Sequence, residues 1–335
     1  PKPKSFLNLS LDFGFFNIGN NNSPGIQLRT WIEQMNSLSD NPKIDGIVLN
    51  LGQVNAGLSK KQEIRNALMN FKKSGKKIYA YCDNDVSNTG YYLISMADEI
   101  YMHNQNSIYL TGLSANFMFY KKFLEKLEVS PIVYRVQDKN GKSYKGAVDM
   151  FINDGITPEM KEEYNKILDD FYYVFVRDIS EGRNWTFEKT EEVIDNGPFL
   201  IANDAVSEGL LTSTMYPDEF KSYIKNLNEG KVEITEFDPN PTYNYTLSWK
   251  DSKKPNIALI YAVGGIQSGE SNPGPRGSSV MGDKTISKAF KDAYSNKEVD
   301  AIILRIDSGG GSAIASDMMW RQFNLSRSDS TNKKP

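Results

Sequence analysis

The sequence predicts an α/β protein built from a βαβ-type unit that occurs twice, and three observations carry that prediction. A helical apolar pattern, Leu28, Trp31, Ile32 and Met35, leads into the run 41–49, Asn-Pro-Lys-Ile-Asp-Gly-Ile-Val-Leu. Ile286, Ala289, Phe290 and Ala293 repeat the same spacing and lead into 296–304, Asn-Lys-Glu-Val-Asp-Ala-Ile-Ile-Leu. Both β-branched runs lack polar alternation, as strands buried on two faces do, and each is followed by a second helical pattern.

In the first copy that second helix carries Ile64, Ala67, Leu68 and Phe71, and the run 76–81, Lys-Lys-Ile-Tyr-Ala-Tyr, reads as the next strand. In the second copy Lys333-Lys334-Pro335 stands at the matching place, so the second domain is expected to be cut short. Between the copies, Thr157 and Pro158 have the chemistry of an N-cap and first helical residue. The helix they open carries Tyr164, Ile167, Leu168, Phe171 and Phe175, ends near Gly182 and reads as core packing. Asp238-Pro239-Asn240-Pro241 and Lys253-Lys254-Pro255 are breaker segments. The expected organisation is therefore a first domain over 1–228, a linker over 229–256 and the start of a second domain over 257–335.

Composition narrows the function. The 335 residues carry a net charge of −3 spread in mixed runs, with no basic stripe for nucleic acid. The apolar run 257–266 is too short to span a bilayer. One cysteine, Cys82, excludes an internal disulfide, and with one histidine, His103, the chain lacks the residues for a His/Cys zinc centre.

The segment that carries chemistry follows the second-copy strand: Asp307-Ser308-Gly309-Gly310-Gly311-Ser312, then the helical run from Ala313 to Met319. A dinucleotide fingerprint would need a third glycine where Ile314 stands, and no Gly-Lys-Ser/Thr closes a P-loop. Two readings remain for Ser312. It is a nucleophile on a sharp strand-to-helix turn, beside N–H groups able to hold an oxyanion, or it caps the helix. Aligning the copies puts Gly57 opposite Ser312, so the first copy has no nucleophile. A serine nucleophile needs a base, here His103 or a desolvated lysine; His103, at the end of a strand, reads as a satisfied structural histidine.

These residues resemble signal peptide peptidase A, also called protease IV, in its long, internally duplicated form. The resemblance rests on Ala97-Asp98-Glu99-Ile100 after Tyr91-Tyr92-Leu93, on Tyr134-Arg135-Val136, and on 143–151, Ser-Tyr-Lys-Gly-Ala-Val-Asp-Met-Phe. It extends through Asp204-Ala205, Gly209-Leu210 and the run 308–316. It implies duplicated ClpP/crotonase-like domains, Ser312 as nucleophile and Lys145 as general base, with Gly264 as an oxyanion donor. Ala313 is assigned as the second donor because it follows the nucleophile. It further implies no cofactor, peptide substrates such as signal-peptide remnants, and a homo-oligomer, a tetramer in relatives. The expected location is the bacterial cytoplasmic membrane with the catalytic part outside the cytoplasm, the anchor lying in a segment not contained in this chain. Gly309 departs from the family, which often has proline there. The alternatives are a non-catalytic homologue that binds peptides or assembles, and a crotonase-like acyl-CoA enzyme.

Overall fold

The computed structural model describes residues 4–13, 28–54, 56–237, 255–273 and 279–328. They divide into two units, Pro1–Thr242 and Tyr243–Pro335.

The first unit opens with β1 (Lys4–Phe13), α1 (Leu28–Asp40), β2 (Gly46–Val54), α2 (Leu58–Lys73) and β3 (Lys77–Cys82). Next come β4 (Val86–Ser87), α3 (Asn88–Ile94), β5 (Glu99–Met102), β6 (Ile108–Tyr109) and α4 (Lys121–Lys126). A 3₁₀ turn (Gly146–Val148) precedes α5 (Asp149–Ile152), α6 (Pro158–Arg183), α7 (Phe187–Asp195) and α8 (Ala202–Ser207). The unit closes with β7 (Ser213–Thr214), α9 (Pro217–Gly230) and β8 (Val232–Glu236). Its main sheet has the order β7-β5-β3-β2-β1-β8, every neighbouring pair parallel.

Side-chain alternation explains why this sheet is buried on both faces. Ile47, Leu49, Ile78, Ala80 and Cys82 point into one cluster with Trp31, Met35, Ile64, Leu68 and Phe71 from α1 and α2. Their neighbours Val48, Tyr79 and Tyr81 point the other way, against Phe220 and Ile224 of α9. Tyr81 stacks on Phe220 at 4.9 Å between ring centroids. Each fully buried side chain of this size contributes about 1.5–3 kcal/mol, which is why neither face tolerates a polar alternation.

Thr157 caps α6 by accepting from the Met160 N–H at 3.2 Å, with Pro158 in the first turn. The helix ends at Asn184, whose φ of 56° is left-handed. Only the second half of α6 is core: Phe175, Val176 and Ile179 are buried, whereas Ile167 and Phe171 are exposed. The expected linker also differs. Val232 and Ile234 alternate toward the α9 face and make residues 232–236 the edge strand β8, paired with β1. The rest of that segment, 238–254, lies outside the described residues.

The second unit contains β9 (Ile257–Val263), β10 (Gly265–Gln267), β11 (Asn272–Pro273), β12 (Ser279–Gly282), α10 (Asp283–Ser295), β13 (Ala301–Asp307) and α11 (Ala313–Ser328). β9 and β13 pair in parallel, as β1 and β2 do, and the order α10-β13-α11 repeats α1-β2-α2. Ile260 and Ala262 pack on Ile286, Phe290 and Tyr294. The opposite face carries Ile257, Tyr261 and Ile303, all exposed. The observed class is thus mixed α/β with a parallel central sheet, consistent with a ClpP/crotonase-like fold.

Candidate active site

The turn joining β13 to α11 is held by its own backbone. The Ile266 N–H of β10 donates to the Gly310 carbonyl at 3.0 Å, and the Ser312 N–H donates back to the Ile266 carbonyl at 2.9 Å. This clamp accounts for the glycines. Gly310 has φ +107°, and a Cβ at Gly311 would lie 2.3 Å from the Ile266 oxygen, so a side chain there would push β10 away. Ser308 pins the other end: its hydroxyl donates to the Gly264 carbonyl at 2.7 Å and accepts from the Gly310 N–H at 3.1 Å.

Ser312 is the last residue before α11 and is half-buried. Its Oγ accepts from the Ala315 N–H at 3.2 Å, and its carbonyl accepts from the Ser316 N–H and hydroxyl at 3.1 and 2.9 Å. It therefore does cap the helix. The cap leaves two donors over, because the N–H groups of Ala313 and Ile314 have no partner among the described residues. They point out of the start of a sixteen-residue helix, where partial positive charge accumulates. Gly264 is nearby in the fold but differently engaged: its N–H donates to the Asp307 carbonyl at 3.0 Å. Ser312, Ala313 and Gly264 are thus brought together around one turn, with Ala313 the open donor and Gly264 an occupied one.

A cleft of about 370 Å³ opens in the same unit, lined by Tyr261, Val263, Ser271, Asn272, Ser279, Val280 and Met281. Its walls come from Ser271 and from β9, β11 and β12, of which β12 pairs with β10. Its lining combines the apolar Val263, Val280 and Met281 with the hydroxyls of Tyr261, Ser271 and Ser279 and the Asn272 amide.

Lys145 belongs to the first unit. It stands just before the 3₁₀ turn, on an exposed loop, and its side chain is exposed. Its N–H donates to the Ser143 hydroxyl at 3.2 Å, and that hydroxyl donates to the Val136 carbonyl at 2.8 Å. Tyr144 next to it donates its hydroxyl to Glu162 at 2.9 Å, a bond that raises the phenol's pKa and keeps it protonated. The desolvation a lysine base requires is not supplied by the first unit itself.

The other reactive side chains are accounted for. The His103 Nδ1 accepts from the Gln105 N–H at 3.2 Å, and the ring meets Tyr216 edge-on at 5.0 Å. Cys82 is fully buried in β3, and burial pushes its thiol pKa up, which makes it inert. Two residues had no assigned role in the sequence, Ser308 and Ile266. The glycine run signals a close backbone approach, but nothing local says that Ile266, dozens of residues earlier, is what approaches.

Comparison with known proteins supplies the family. The model described as Peptidase family S49 matches residues 70–230, a stretch that includes Lys145. Protease 4 of Haemophilus influenzae (strain ATCC 51907 / DSM 11121 / KW20 / Rd) is 32% identical over 304 residues, covering 84% of this chain and 46% of that protein. Protease 4 of Salmonella typhi is 30% identical, covering 88% of this chain and 47% of its own length. The chloroplastic serine protease SPPA of Arabidopsis thaliana is 29% identical, with 90% and 44% covered. The chain spans a little under half the length of these curated relatives. The chain is thus similar along most of its length to proteins called Protease 4 and SPPA, and its residues 70–230 match peptidase family S49.

Proposed function

We propose that this chain carries the nucleophile and the base of a serine peptidase, with Ser312 attacking the peptide carbonyl and Lys145 accepting its proton. The observation that carries the reading is the clamped turn at Ser312, which holds a half-buried hydroxyl beside two uncommitted N–H groups of α11. The match of residues 70–230 to peptidase family S49 and the similarity to Protease 4 support the reaction class.

The steps follow from the chemistry. Neutral Lys145 Nζ takes the Ser312 proton, and Oγ bonds to the carbonyl carbon of the substrate. The Ala313 N–H stabilises the oxyanion that develops. Gly264 joins as second donor once its bond to the Asp307 carbonyl gives way. The Lys145 ammonium then protonates the leaving amine, and water, deprotonated by the same lysine, releases the acyl group. A lysine of ordinary pKa, about 10.4, is almost wholly protonated at neutral pH, so the cycle requires Lys145 to lose its water in the working protein. No cofactor enters these steps.

The substrates we assign are signal-peptide remnants and other apolar peptides, cleaved by a homo-oligomer, a tetramer, held at the bacterial cytoplasmic membrane with its catalytic part outside the cytoplasm. The similarity to proteins called Protease 4 and SPPA supports a peptide substrate. No helix among the described residues is long and apolar enough to cross a membrane, so the attachment is assigned to residues outside them. The two domains we assign are the first repeat, 1–228, which supplies the lysine, and the second, from 257, which supplies the serine.

A second reading is a homologue that binds peptide without cutting it, favoured by the Ser312 cap bond and the exposed Lys145. Hydrolysis of an unstructured apolar peptide by the complete protein separates the two. Peptidase chemistry predicts a loss of at least about a thousandfold in Ser312→Ala; equal turnover by that variant removes Ser312 from the mechanism.

A further inference from the structure

Lys145 sits on a loop whose side chains mostly face solvent, yet four residues later comes one of the few buried charges of the chain. Asp149 is 1% exposed and is ion-paired through Oδ1 with Nη1 of Arg135. Its other oxygen, Oδ2, is buried with no hydrogen-bond partner. Leaving a buried acceptor unsatisfied costs about 1–3 kcal/mol, so this carboxylate is retained against a penalty. Oδ2 lies against the lysine turn: a Cβ at Gly146 would be 3.4 Å from it. The Asp149 N–H closes the 3₁₀ turn by donating to the Gly146 carbonyl.

Arg135 comes from the other limb of the same loop. That limb turns back at 138–142, where the Asp138 N–H donates to the Lys142 carbonyl at 2.9 Å. Ile132, Tyr134 and Val136 around it are more than four-fifths exposed, whereas Arg135, like Val133, is half-buried and turns inward. Lys145 is therefore tied to this limb on both sides, through Ser143 to Val136 and through Asp149 to Arg135.

We propose that Arg135 and Asp149 are a positioning pair that fixes the direction in which the turn presents Lys145. The proposal rests on the reading of Lys145 as the base. Neither residue touches the reacting atoms. The pair sets the backbone from which the amine is delivered, and a displacement of about 1 Å at a reacting group is enough to cost on the order of a hundredfold in rate.

The test is the rate at which a fluorophosphonate probe acylates Ser312 in the complete protein, measured across a pH series. In Arg135→Gln and in Asp149→Asn the rate falls by about ten- to a hundredfold, and its pH midpoint departs from the parent's. In the double variant an amide–amide hydrogen bond replaces the ion pair, which removes the uncompensated charge of each single change. That variant loses no more than either single one and keeps the test open if a single variant fails to fold. Folded single variants with the parental rate and midpoint, or losses that add in the double variant, overturn the positioning role. Lys145→Ala separates this from failure of the underlying reading. If that variant labels like the parent, the lysine mechanism falls; if it is silent while the pair variants label normally, only the positioning pair falls.

Discussion

The two strand–helix–strand–helix copies differ most where strand meets second helix. In the first, β2 passes to α2 through a short connection ending at Gly57, an N-cap with no side-chain hydrogen bond. In the second, five residues join β13 to α11, their glycines clamped onto β10 and ending at Ser312, whose hydroxyl does cap the helix. Burial differs in the same sense. The first unit covers both faces of its sheet and encloses charge, with Arg65 and Asp178 both buried. Among the described residues, the second buries no charged side chain and leaves one sheet face apolar and exposed. The closed packing lies in the first segment and the glycine-clamped serine turn in the second.

The strongest way to break this comparison is to remove what makes the first copy a closed core. Tyr92 donates to Asp178 Oδ2 at 2.6 Å, Arg177 pairs with Oδ1 at 2.6 Å, and Arg65 donates to the Asp178 carbonyl. Asp178→Ala takes from buried Arg65 the nearer of its two carboxylates, leaving Glu181, and strips the buried Tyr92 hydroxyl of its acceptor; it should destabilise the unit by about 3–5 kcal/mol. Cys82, the only cysteine, lies in the same core. Its alkylation under native conditions reports opening of that core and should accelerate by about a hundredfold or more in the variant. Unchanged alkylation would mean that the network is not what closes the core.

An intermediate effect is expected at Lys61. Its ammonium is buried at the start of α2, donates to Thr89 Oγ1 at 2.5 Å, and has its pKa lowered by burial. The unfolded chain then holds this proton more tightly than the folded one. Stability therefore rises with pH between the lowered folded value and the unfolded value near 10.5, and is lost again as pH falls back through that window. Lys61→Met should flatten the rise. Urea titrations at neutral and alkaline pH, followed by Cys82 trapping, would read it, and a slope identical in the variant would count against the assignment.

The smallest effect sharpens the comparison at its centre. Gly57 has φ −62° and open space around its missing Cβ, so Gly57→Ser gives the first copy the cap residue of the second. A gain of only a few tenths of a kcal/mol is expected by denaturant midpoint, with no new probe labelling at position 57. Labelling there would show that the turn alone, without the glycine clamp, activates a serine.

The helices α1 and α10 were legible because they are written in local periods: Trp31 with Met35, and Ile286 with Phe290, sit where a helix must bury them. Thr157 and Pro158 were legible because capping is a property of adjacent residues. Ser312 was legible as a strand-to-helix residue, though its cap bond and its nucleophilic reading share one signature. What was hidden depends on distant partners. The clamp between Ile266 and Gly311, the Ser308 pin on Gly264 and the burial of Asp149 all join residues far apart in sequence. β8 was hidden differently, as a five-residue alternation next to breaker segments.

The central claim is that an amine from the first copy serves a hydroxyl from the second. Its most direct measurement is mass-spectrometric mapping of fluorophosphonate labelling in the complete protein and in Lys145→Ala across a pH series. The account predicts adduct on Ser312 that increases with pH and is lost in the lysine variant. Adduct on Ser312 with the same amplitude and pH dependence in both proteins would contradict it.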